Sequence, residues 1–70
     1  MSTEAEIHAL LVPFVAVERP DQPLRLESIE IAMLLEAIED TFDLTLRARD
    51  YDAKAFTRVD ALVAWVESLL

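Results

Sequence analysis

Seventy residues carry 14 acidic and 6 basic side chains, a net charge of −8, with no cysteine, no glycine and a single histidine. That balance repels phosphate backbones and anionic lipid surfaces. It also leaves no disulfide framework, thiolate metal site, glycine phosphate loop or histidine-based triad. At 54% apolar, the chain is still built to fold, and its length makes residues 1–70 a single domain.

The opening Met1-Ser-Thr-Glu-Ala-Glu6 lacks the basic start and apolar run of a signal peptide. The longest apolar run, 9–17, is nine residues and is broken by Pro13, too short to span a bilayer. The expectation is a soluble, cytoplasmic monomer that binds neither nucleic acid nor membrane.

Thr3 followed by Glu6 suggests a capping box at the start of a first helix. Ile7, Leu10, Leu11 and Phe14 recur at helical spacing behind it. Pro13 should kink or fray this helix, which is expected to end between Val12 and Val17. His8, on its flank, is expected to face solvent. The polar stretch Glu18-Arg-Pro-Asp-Gln-Pro23 reads as a loop, with Leu24 and Leu26 tucked back onto the core.

A second helix is the clearest element. Ile31, Leu34, Leu35, Ile38 and Phe42 share one face. Ser28 suits its N-cap or first turn, and Glu27 and Glu30 lie where the helix dipole favours negative charge. A linker with Leu44 and Leu46 follows, then one or two short helical turns within 49–54. Thr57 with Asp60 resembles another cap, before a stripe of Val59, Leu62, Val63, Val66 and Leu70. No strand-like alternation is long enough to stand alone. Trp65 lies beside the last stripe, at a core edge. Charge is unevenly distributed: 27–43 holds six acids and no base, whereas Arg47, Arg49, Lys54 and Arg58 follow closely.

The segment Glu27-Ser28-Ile29-Glu30, the stripe through Leu34, Leu35 and Ile38, and the ending Ile38-Glu39-Asp40-Thr-Phe42 together resemble the acyl carrier protein family. In that family an Asp-Ser-Leu box precedes a leucine-rich helix ending in Leu-Glu-Glu-x-Phe. The first helix and the stretch 51–63 are similar to the family's remaining helices. The likeness is to stand-alone carriers of polyketide and nonribosomal-peptide pathways, and it covers essentially the whole chain.

The resemblance implies an all-α, four-helix bundle with three principal helices and a short third one. It also implies a 4'-phosphopantetheine arm, derived from coenzyme A, attached to Ser28. The arm would hold an acyl or aminoacyl group as a thioester. Expected partners are a phosphopantetheinyl transferase, an acyl- or aminoacyl-loading enzyme and downstream synthase or transferase enzymes. They would meet a surface of Glu27, Ile29, Glu30, Met33, Glu36, Glu39 and Asp40. No catalytic residue and no metal are implied.

The residues alone allow a plainer reading, in which Ser28 only caps its helix. The rival function is then an acidic helical interaction module without a cofactor. This chain departs from the family pattern in several places. Glu27 replaces the usual aspartate, and the loop before Ser28 is shorter and lacks the common Leu-Gly. Asp43 stands where glycine usually follows Phe42, and Met33 and Glu36 invert the usual acid and apolar positions.

Overall fold

The computed structural model describes residues 2–70. Its elements are α1 (Thr3–Leu11), α2 (Ser28–Phe42) and α3 (Val59–Leu69), with 3-10 segments at Ala48–Asp50 and Ala53–Thr57 before α3. The only β-type pairing among the described residues is an isolated bridge between Pro23 and Arg58. The fold is therefore all-helical. Its radius of gyration of 10.9 Å matches the ~11 Å of a packed chain this long.

Helix α1 starts at Thr3 itself, so its cap lies one residue before the expected one. Ser2, not Thr3, is the N-cap, its Oγ accepting from the Ala5 amide at 3.1 Å. The helix ends at Leu11, just short of the expected window, and the reason is local. Pro13 has no N–H for the Ala9 carbonyl, which takes the Val12 amide at 3.3 Å instead. A turn follows, in which the Leu11 carbonyl accepts from both Phe14 and Val15 at 2.9 Å.

The core collects Ile7 and Leu11 of α1, Leu34 and Ile38 of α2, and Val59, Leu62, Val63 and Val66 of α3. Leu24, Ala55 and Phe56 complete it from the connections, and Leu26 packs half-buried against it. The expected stripes turn to this core, with Leu10, Phe14, Ile31, Leu35 and Phe42 only half-buried against it, and the chain end departs from the pattern. Leu70, placed with the α3 stripe, is 63% exposed because the helix stops at Leu69. His8 is half-buried rather than solvent-facing, and its Nε2 has no hydrogen-bond partner.

The cap expected at Thr57 is absent. Thr57 closes the second 3-10 segment, its hydroxyl donating to the Lys54 carbonyl at 2.7 Å. Helix α3 is instead capped from a distance. The amides of Val59 and Asp60 donate to the carbonyls of Gln22 (3.0 Å) and Pro20 (2.8 Å) in the long loop. The free first-turn donors of α3 thus become the anchor for that loop.

Candidate functional site around Ser28

The loop's attachment decides where Ser28 sits. Besides those two bonds, the Leu24 amide donates to the Thr57 carbonyl at 2.8 Å, and the Leu24 side chain is buried. Gln22 organises the loop internally. Its Nε2 donates to the Ala16 carbonyl (2.8 Å) and its Oε1 accepts from the Glu18 amide (2.7 Å). Sequence reasoning passed over Gln22. The available signal was its place between Pro20 and Pro23, where few backbone N–H groups remain to order the turn.

Held this way, the chain enters α2 with Glu27 as an extended N-cap and Ser28 as the first helical residue. Of the two expected positions for Ser28, the first-turn one is observed. A capping box forms at this end, the Glu27 amide donating to Glu30 Oε1 at 2.8 Å. Ser28 is exposed. Its hydroxyl stands at the positive end of a 15-residue helix, whose first-turn amides have no acceptor within the helix.

At 100° per residue, Ile29, Met33, Glu36 and Asp40 fall within one sector of α2, opposite the buried Leu34 and Ile38. All four are exposed, Ile29 at 65% and Met33 at 54%. They form a strip running away from Ser28, apolar at Ile29 and Met33 and then acidic at Glu36 and Asp40. Glu27, also exposed, adds a further acid at its start.

Two residues assigned to this surface are turned to other work. Glu30 is half-buried and its carboxylate closes the capping box. Glu39 lies about 100° round the helix from Asp40. It is half-buried, and its Oε2 accepts from the Leu46 amide at 2.9 Å. Counting the helical angle alone separates Glu39 from the outer strip.

Beside Glu39 a half-open cleft of about 200 Å³ lies between α2, the linker and α3. Leu35, Leu46, Tyr51 and Trp65 supply apolar walls, with Glu39 and Arg47 as the charged groups. Trp65 is at the core edge, as expected. Its indole N–H donates to the Asp50 carbonyl at 3.0 Å, and its ring is tilted on Phe56 with centroids 5.5 Å apart. Tyr51 also stacks on Phe56, with centroids 5.6 Å apart.

Ion pairing among the described residues is confined to Arg19–Asp21 and Arg58–Asp60, each 3.0 Å long and solvent-exposed. Among the described residues, the acids of α2 have no paired base. No group of metal-ligating side chains is assembled among the described residues, and none of their helices is long and apolar enough to cross a membrane. Comparisons with protein-family models, curated proteins and solved structures find no match to this chain.

Proposed function

We propose that this protein is a carrier whose Ser28 receives a phosphopantetheine arm from coenzyme A, and that it delivers an acyl or aminoacyl thioester to partner enzymes. The observation that carries the reading is the position of Ser28. It is exposed, it opens the longest helix, and its own outer face begins with the exposed Ile29 and Met33.

A phosphodiester on that hydroxyl would lie at the amide end of α2, where dipole and free N–H groups favour an anion. A transferase can reach the hydroxyl without unfolding anything. The strip of Ile29, Met33, Glu36 and Asp40 then offers partners apolar contact near Ser28 and carboxylates beyond it. Basic partner surfaces would be drawn to it, with charge setting encounter rate and rejecting wrong partners. Glu27 would contribute at the strip's near end, and Glu30 and Glu39 chiefly by shaping the helix and linker. On this reading the three helices and the two 3-10 segments are a variant of the four-helix carrier bundle. The protein contributes no catalytic residue of its own.

The test is intact mass after incubation with coenzyme A and a broad-specificity phosphopantetheinyl transferase. One arm per chain is expected, and none on Ser28→Ala. An unchanged mass in folded protein, across several transferases, would leave the acidic interaction module as the better description.

A further inference from the structure

The cleft between α2, the linker and α3 holds an unusual pair. Glu39 and Arg47 face the same space of about 200 Å³, yet they form no ion pair with each other. One carboxylate oxygen of Glu39 is taken by the Leu46 amide, and among the described residues no hydrogen bond engages the other. The Arg47 backbone amide is bonded to Asp50 Oδ2 at 2.9 Å, which fixes the start of the guanidinium's stem while the head stays exposed. The rest of the lining is mostly apolar and aromatic: Leu35, Leu46, Ala48, Tyr51 and Trp65.

Opposite charges on a shared apolar cleft complement a small zwitterion. From this we infer that the cleft binds a free amino acid with an apolar side chain of ring or branched size. Its ammonium meets Glu39, its carboxylate meets Arg47, and its side chain lies against Tyr51 and Trp65. Size agrees. A cavity of about 150 Å³ accommodates benzene, so about 200 Å³ with an open mouth takes a phenyl-sized side chain and leaves the charged head at the rim. The charge of the whole molecule agrees too. At −8 overall, the protein repels a simple anion, whereas a zwitterion carries no net charge into that field. A simple cation would be attracted, but would leave Arg47 unsatisfied and repelled. The site is separate from Ser28 and does not depend on its modification.

The unmodified protein suffices for the test. Trp65 is the only tryptophan, so its indole N–H gives one resolved proton–nitrogen resonance, and it belongs to a residue that lines the cleft. Titration with L-phenylalanine should move this resonance saturably. Phenethylamine, which lacks the carboxylate, and 3-phenylpropionate, which lacks the ammonium, should each bind about fivefold more weakly or worse. Glu39→Gln keeps an acceptor for the Leu46 amide while removing the charge, and Arg47→Gln alters an exposed head. Both variants should stay folded. Each should erase the preference for the zwitterion over the analogue lacking its own counter-charge. Equal affinity for all three ligands would reduce the cleft to a plain apolar slot and overturn the inference. So would the absence of any saturable shift.

Discussion

The carboxylate of Glu39, in the last turns of α2, accepts the backbone amide of Leu46 at 2.9 Å across seven positions of sequence. The Glu39 carbonyl also accepts the Leu44 amide at 3.0 Å, so this one residue ties down the linker twice. Leu44 and Leu46, whose amides make these two bonds, both pack half-buried against the core.

Removing the carboxylate should therefore loosen the linker. Glu39→Ala leaves the Leu46 amide without its acceptor, at a cost of about 1–2 kcal/mol for a half-buried bond to a charged group. Glu39→Gln should recover most of that loss. Urea denaturation of the two variants against the parent distinguishes the bond from the charge.

Asp43 is the one described non-glycine residue with positive φ, at φ 54° and ψ 49°. It ends α2 in the left-handed conformation that lets the Leu44 amide reach back to Glu39. A side chain is disfavoured there, and glycine is not. Asp43→Gly should stabilise the fold by about 0.5–1 kcal/mol and raise the melting temperature. A lower melting temperature would mean that the aspartate side chain contributes more than its backbone strain takes away.

The unpaired acids of α2 imply a salt response. Neither ion pair among the described residues involves the acids of 27–43, so their mutual repulsion is relieved only by solvent ions. Melting temperature should rise with sodium chloride, and further with a divalent cation at equal ionic strength. A flat profile would show that Arg47, Arg49, Lys54 and Arg58 already neutralise the face at long range.

Met33 and Glu36 are both exposed, about 60° apart on the outer face of α2. Exchanging them by Met33→Glu with Glu36→Met should change stability by less than about 0.5 kcal/mol, as expected for surface positions. Under the carrier proposal, the exchange should improve service to a general fatty-acid synthase and impair a dedicated partner. Identical loading and processing by both enzyme sets would remove this strip from partner choice.

Local periodicity sufficed for much of the fold. The apolar stripes of Ile7 and Leu11, of Leu34 and Ile38, and of Val59 through Val66 were legible because a helix buries residues by angle, and angle follows from spacing. The outward position of Ile29, Met33, Glu36 and Asp40 followed by the same arithmetic. Caps were less legible. Ser2 and Thr3 are both good cap residues, and which one closes α1 depends on a backbone angle that composition does not encode.

What tertiary structure alone decided are the bonds between segments distant in sequence. The loop carbonyls of Pro20 and Gln22 cap α3, the indole of Trp65 holds Asp50, and Glu39 gathers the linker. Each joins a backbone group, present at nearly every residue, to a partner chosen only by proximity after folding. Sequence supplies the side chains of the cleft beside Glu39, and packing of α2, linker and α3 makes them neighbours. Ser28 combines the two. Its chemistry and its place at a helix start are local, whereas its presentation depends on a loop stapled to the distant start of α3.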